Sequence, residues 1–176
     1  MNKEELTRIL IDIRTLSQKM EAKEERIDTL LQYAETVLAE CNDFFKRAAD
    51  FLNAPADGSV SPPIPAWKHY TTADQAAQAV QQLKQLMDDG APVLTEIMEY
   101  RNRYNSFNAS FADCMKNITN TFRDSGIAIE HAAALKVAEP LQQLDRQLDV
   151  LVQAAPGYEV RLKKMKSELN AIKEVN

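Results

Sequence analysis

The fold is decided by the stretch from residue 3 to residue 53, which reads KEELTRILIDIRTLSQKMEAKEERIDTLLQYAETVLAECNDFFKRAADFLN. Apolar side chains recur in it at alternating spacings of three and four residues, and only Lys23 interrupts this row. A row sustained over about seven heptads is typical of a long helix that packs along its length against other helices. At ~1.5 Å per residue the helix would be roughly 75 Å long, so we expect an elongated molecule.

Two further stretches carry the same periodicity. The second covers residues 72–124, and its apolar row keeps its phase through residues 90–92, which contain a glycine and a proline. This favours one helix with a kink over two helices joined by a loop. The third covers residues 127–174 and keeps its phase through the prolines at positions 140 and 156, where we expect further kinks.

The number and length of these stretches predict the architecture. Glycine is scarce, with 4 among 176 residues, which disfavours an all-β fold with its many turns. Three stretches of similar length suit an all-α fold, an elongated antiparallel three-helix bundle or coiled coil that forms a single domain over residues 1–176. Gly126 should end the second helix in the left-handed conformation.

The segment 54–71 between the first two helices holds four of the seven prolines and is predicted to be a loop. Pro62 and Pro65 form a PxxP pattern of the polyproline II type that SH3-like modules bind, and Trp67 follows closely. These three residues are a candidate loop motif. The alternative is that Trp67 and its apolar neighbours fold back and attach the loop to the bundle.

The first half of the N-terminal helix has a narrower apolar row than the second half. From residue 31 onward a second row accompanies the first, at Leu31, Leu38, Phe45 and Leu52. A wide apolar face contacts two neighbouring helices, whereas a narrow one needs only a single neighbour. We therefore predict that the first half offers an interface to a partner, formed by Leu6, Ile9, Ile13, Leu16 and Met20.

Lys23 is the only charged residue in the apolar row of the first helix. Pairing the helices by length places it level with Tyr100 and Tyr104 of the second helix and with Asp145 of the third. We expect its aliphatic stem to pack on the tyrosine rings and its ammonium group to reach Asp145 or solvent. A charged residue at such a position fixes the register of packed helices at some cost in stability.

Composition excludes several classes of partner. The net charge of −5 argues against nucleic acid, because binding to phosphates depends on clustered lysine and arginine. No stretch approaches the roughly 18 consecutive apolar residues of a membrane-spanning helix, and no export signal is recognisable at the N-terminus. The sequence therefore predicts a soluble, cytoplasmic protein.

The reactive side chains are isolated from one another in the sequence. Cys41 and Cys114 lie in apolar rows and are predicted to be buried, reduced thiols. His69 and His131 have no cysteine or histidine three or four residues away, so no metal site is expected. Since no glycine-rich phosphate loop occurs either, we expect no catalytic residues, no metal and no cofactor, and we do not expect an enzyme.

These observations favour a structural or adaptor protein that assembles through coiled-coil helices. We expect a homo- or hetero-oligomer formed through the first helix, with itself or with other helical chains. The alternative is a lipid-surface or membrane-interacting helical protein, such as a secreted effector or toxin component, because long amphipathic helices can lay their apolar faces on a bilayer. The mixed or acidic polar faces of the helices disfavour that alternative.

Overall fold

The computed structural model describes residues 1–53 and 73–173, without the side chains of Leu52 and residues 73–76. The described residues form three long helices, α1 (Lys3–Asn53), α2 (Ala73–Ser125) and α3 (His131–Lys173), and a short 3-10 turn (Gly126–Ala128). No strand occurs within these ranges. The all-α prediction is confirmed.

The start of α1 is fixed by Asn2. Its side-chain Oδ1 accepts a hydrogen bond from the backbone N–H of Glu5 at 2.8 Å. The backbone N–H of Asn2 donates in return to the Glu5 carboxylate at 3.3 Å. This reciprocal arrangement satisfies two backbone donors that a helix leaves without partners at its N-terminus. From here α1 continues without interruption to Asn53, as the periodicity predicts.

Both α2 and α3 pass through prolines as single helices. α2 contains Pro92, and α3 contains Pro140 and Pro156. This confirms that each phase-preserving row belongs to one helix, while the kinks near residues 90–92, 140 and 156 remain predictions. Gly90 permits a close approach of α3 to α2, because a Cβ atom at this position would lie 2.5 Å from Cε of Met165.

The connection from α2 to α3 contains the expected glycine, but α3 begins later than predicted, at His131. Gly126 has φ +53, the left-handed conformation predicted for it. The predicted helix start at residue 127 is wrong, because the 3-10 turn follows directly and Ile129 is extended (φ −65, ψ 136) with a buried side chain. The first backbone bond of α3 runs from Ala134 N–H to the carbonyl of Glu130 at 3.0 Å.

The chain divides into two compact units, each of which is built from parts of all three helices. Unit 1 comprises Met1–Thr29 and Met98–Pro156, and unit 2 comprises Leu30–Ile97 and Gly157–Asn176. Within unit 1, Ser17 of α1 contacts Met115 of α2 (Oγ to Sδ, 3.7 Å), and Asp28 lies beside Tyr104. Residues later in α1 thus lie beside residues earlier in α2, so these two helices are antiparallel in unit 1.

The core of each unit consists of the apolar rows that the sequence shows. Among the described residues, no polar or charged side chain is buried. The core of unit 1 contains Ile9, Ile13, Met20, Ile27, Tyr100, Tyr104, Phe107, Cys114, Ile118, Phe122, Ile129, Ala134, Leu141, Leu144, Leu148, Leu151 and Ala155. The core of unit 2 contains Leu30, Leu31, Ala34, Val37, Cys41, Phe44, Ala48, Ala79, Leu83, Leu86, Val93, Ile97, Leu162, Met165, Leu169 and Ile172.

Charged side chains connect the helices at the margins of the core of unit 2. Two ion pairs link α3 to the other helices, Lys166 with Glu40 of α1 and Arg161 with Glu96 of α2. The ammonium group of Lys173 also lies 5.5 Å from the centre of the Phe44 ring, a cation–π contact. The basic residues at the end of α3 therefore serve, at least in part, to pack α3 on its neighbours.

Candidate helix-binding groove

The predicted partner interface on α1 lies largely inside unit 1. Ile9, Ile13 and Met20 are buried, and Leu6 and Leu16 are half-buried. Their burial follows from the matching apolar rows of α2 and α3, which cover this part of α1 within one chain. These residues therefore make core contacts, and a partner that binds α1 has to approach beside them. The candidate loop motif of Pro62, Pro65 and Trp67 lies outside the described residues.

An open groove runs between α1 and α2 beside this buried row, with a volume of about 370 Å³. It is lined by Leu10, Ile13, Arg14 and Ser17 of α1 and by Met115, Ile118, Thr119 and Phe122 of α2. Five of these eight side chains are apolar. Leu10 is 41% exposed and the adjacent Ile11 is 57% exposed. Exposed aliphatic side chains that adjoin an apolar groove are typical of an interaction site.

Heptad spacing relates Leu10 to the second apolar row of α1. The second row of α1 begins with Leu31 and continues at intervals of seven residues. Leu10 lies three such intervals before Leu31, but Ser17 and Glu24 occupy the positions between them. The polar residues interrupt the row, so Leu10 looked like an isolated surface leucine. In the structure it forms the wall of the α1–α2 groove.

The rim of the groove carries charge that the described part of the chain does not neutralise. Arg14 is exposed and forms no ion pair with any residue in 1–53 or 73–173. The same holds for Lys3 and Glu21, which lie on the same face of α1 on either side of the groove. An apolar floor with separated charges at its rim is the arrangement found at specific interfaces.

Lys23 lies nearly two turns along α1 beyond this groove and pairs with α3. Its Nζ atom is 2.8 Å from Asp145 and 2.6 Å from Asp149, and its side chain is 27% exposed. The predicted contact with Asp145 is confirmed, whereas Asp149 was missed although it follows on the same helix face. Burial lowers the pKa of Lys23, but its hydrogen bonds to Asp145 and Asp149 and their negative charges outweigh that effect and raise it overall.

The carboxylates next to Lys23 on α1 crowd one another. Burial and the charges of Asp28 and Glu21 raise the pKa of Glu24. Burial, together with the charges of Asp28 and Glu24, raises the pKa of Tyr104 to about 12. Tyr104 therefore lies level with Asp28, about one and a half turns along α1 from the predicted level of Lys23. This stretch of α1 carries excess negative charge.

A second groove, of about 460 Å³, lies between α2 and α3 in unit 1. Its lining consists of Asn102, Arg103, Ser106, Phe107, Ser110, Gln147, Val150 and Leu151, so five of its eight side chains are polar. The buried Tyr100 links α2 to α3 near this groove, because its hydroxyl donates a hydrogen bond to the carbonyl of Leu151 at 2.5 Å. Although this groove is larger, its higher share of polar side chains makes it a poorer site for an apolar helix face than the α1–α2 groove.

The groups that could support other chemistry are dispersed. Cys41 and Cys114 are buried free thiols, as predicted. Burial raises the pKa of both, for Cys41 despite the nearby charge of Lys173. Within residues 1–53 and 73–173 no three His, Cys, Asp or Glu side chains lie close enough to hold a metal ion. No helix of the described chain combines the length and the apolar character needed to cross a membrane.

A comparison with protein-family models, with curated proteins and with solved structures found no match to this chain. The class of protein is therefore defined by its own structure, an all-α protein in which three helices pack against each other in each unit. The α1–α2 groove of unit 1 is its best candidate site.

Proposed function

We propose that this protein is a non-enzymatic structural or adaptor protein that assembles with itself or with other helical chains through coiled-coil packing. The observation that supports this function is the apolar α1–α2 groove with the exposed Leu10 in its lining. A cytoplasmic location is part of the proposal.

A helix is the partner that such a groove fits best. Two antiparallel helices packed ~8–10 Å apart leave a furrow between them, and the side-chain ridges of a further helix fill it. Complete burial of a leucine or isoleucine contributes about 1.5–3 kcal/mol. Because Leu10 is 41% exposed, covering its exposed part would contribute roughly 1 kcal/mol to binding. Leu10 gains this energy only when a partner is bound.

The proposal is tested with a pair of matched variants. Leu10→Asp places a charge at the edge of the groove, and Val150→Asp places one at a position that is 62% exposed on the other groove of unit 1. We expect Leu10→Asp to abolish both self-association in light scattering and the capture of helical chains from a native-cell lysate. Val150→Asp should retain them, and circular dichroism should show the same helix content for both.

Two results would speak against this function. One is binding that is equal for the two variants, or no binding to any copy or helical chain by the wild-type protein. The other is co-flotation with vesicles of phosphatidylserine and phosphatidylcholine that disappears in Leu10→Asp, which would favour a lipid-surface protein instead. We expect no co-flotation, because the rim of the groove presents cations and carboxylates together and not a basic face.

A further inference from the structure

The face of α1 along the groove carries a pattern that is symmetric about one point. Three of its groove residues belong to a stripe with spacings of three and four, which keeps its members on one side of a helix. The stripe consists of Lys3, Thr7, Leu10, Arg14, Ser17 and Glu21. Its two ends carry opposite charges, and its centre lies level with residue 12.

A second copy of this stripe complements the first when it runs in the opposite direction. In a two-fold symmetric contact, residue i of one copy meets residue j of the other, and j meets i. With the axis near residue 12, the stripe pairs Lys3 with Glu21, Thr7 with Ser17, and Leu10 with Arg14. Opposite charges then meet at both ends, hydroxyls meet hydroxyls, and the aliphatic stem of an arginine covers each exposed leucine.

The electrostatics of unit 1 favour this arrangement over two others. A parallel contact would place Lys3 on Lys3 and Glu21 on Glu21, which is repulsive. Arg14 alone would suit an acidic helix of another protein, but such a helix would also meet Glu21 and the carboxylates beside it. A lysine opposite Glu21 instead offsets one of the two negative charges that, in addition to burial, raise the pKa of Glu24.

We propose that the α1–α2 groove binds α1 of a second copy of this chain, packed antiparallel about a two-fold axis near residue 12. This inference rests on the proposed function and names its partner. Each copy inserts its α1 into the groove of the other, so that α1 and α2 of the two copies together form a four-helix contact.

Charge reversal tests the pairing of Lys3 with Glu21. The wild-type protein should have about twice the chain mass of 19.9 kDa in light scattering. Lys3→Glu and Glu21→Lys each turn two attractive pairs into two repulsive ones, and each should raise the dissociation constant roughly 5- to 50-fold. A mixture of the two variants restores both pairs and should form a heterodimer at least as stable as the wild-type dimer. The double variant should dimerise like the wild type.

Spin-label distances test whether the two α1 helices of the dimer run antiparallel. Gln18 and Glu25 are exposed, and Gln18→Cys or Glu25→Cys can each carry a label, while wild-type protein controls for labelling of the buried native thiols. From the helix rise, and a lateral separation of ~8–10 Å, the antiparallel dimer predicts about 20 Å between the two labels at 18 and about 40 Å at 25. A parallel dimer would give equally short distances at both positions.

The outcomes separate this inference from the proposed function. A monomeric wild-type protein that captures another helical chain in a Leu10-dependent manner overturns the inference and leaves the proposed function standing. A dimer with equal label distances, or one insensitive to charge reversal, also overturns the inference. A wild-type protein that neither self-associates nor captures a helical chain overturns the inference and the proposed function together.

Discussion

Replacing Lys23 with methionine should destabilise unit 1, because methionine keeps the length of the lysine stem and removes only the ammonium group. The sequence alone suggested that Lys23 lowers stability, but two carboxylates pair with it in the structure. That group contacts Asp145 and Asp149 at 2.8 and 2.6 Å. Hydrogen bonds to charged groups contribute about 1.5–3 kcal/mol each when shielded, and exposed ion pairs about 0.2–1 kcal/mol. Since Lys23 is 27% and Asp149 44% exposed, solvent screens the pairs and the lower range applies.

We therefore expect Lys23→Met to lower the free energy of unfolding by about 0.5–2 kcal/mol, or the melting temperature by roughly 1–8 °C. Urea unfolding at neutral pH, followed by circular dichroism, measures this difference in the free energy of unfolding. Because the folded-state pKa of Lys23 is raised, the contribution is fully present below the ordinary lysine pKa of 10.5 and is lost as the pH rises through the folded value. The difference between wild type and variant should disappear there.

A triple variant provides the control. Lys23→Met combined with Asp145→Asn and Asp149→Asn removes the carboxylates that the single variant leaves without a cation, and it should recover at least half of the loss. If Lys23→Met were as stable as the wild type at neutral pH, the two contacts would contribute nothing, and the account of Lys23 as a stabilising partner of α3 would be wrong.

Further predictions concern backbone conformation, ionisation and thiol reactivity. A Cβ atom at Gly157 or Gly126 would meet nothing within 4 Å, but of these two glycines only Gly126 has positive φ. Gly157→Ala should therefore stabilise the protein by about 0.5–1 kcal/mol in urea unfolding. Gly126→Ala should destabilise it by about 1–2 kcal/mol. Because burial and neighbouring carboxylates raise the pKa of Tyr104 to about 12, the unfolding free energy should fall between about pH 10 and pH 12. In Tyr104→Phe this fall should be smaller, because only the contribution of Lys23 is then lost. Cys41 and Cys114 should react with a thiol reagent only on unfolding, and rapid reaction in the native protein would contradict their burial.

Features that depend on local spacing were predictable from the sequence. The bounds of α1, its Asn2 cap and the left-handed Gly126 follow from periodicity and capping rules. The contact of Lys23 with Asp145 could be predicted because α1 and α3 run in the same direction and the lengths of the helices set which residues lie side by side. The tight connection near Gly126 leaves little freedom between α2 and α3.

Features that depend on the relative level of α1 and α2 were harder to predict. The segment 54–71 is long enough to permit several levels, so the position of Tyr104 beside Asp28 could not be derived from length. The groove was missed for a related reason. Periodicity identifies which residues can be buried, but only the packed structure shows that Ile13 is covered while its neighbour Leu10 remains exposed.

The most direct test of the helix-binding groove is the dissociation constant of the dimer, measured by sedimentation equilibrium for two variants of α2. Thr119 and Ser110 are both exposed, small and polar, but Thr119 lines the α1–α2 groove and Ser110 lines the α2–α3 groove. Thr119→Arg adds a cation beside Arg14 and fills the α1–α2 groove, so we expect this variant to be a monomer. Ser110→Arg should dimerise like the wild-type protein. A monomeric wild-type protein would contradict the proposed dimer, and a dimer that tolerates Thr119→Arg and is lost in Ser110→Arg would contradict the assignment of this groove.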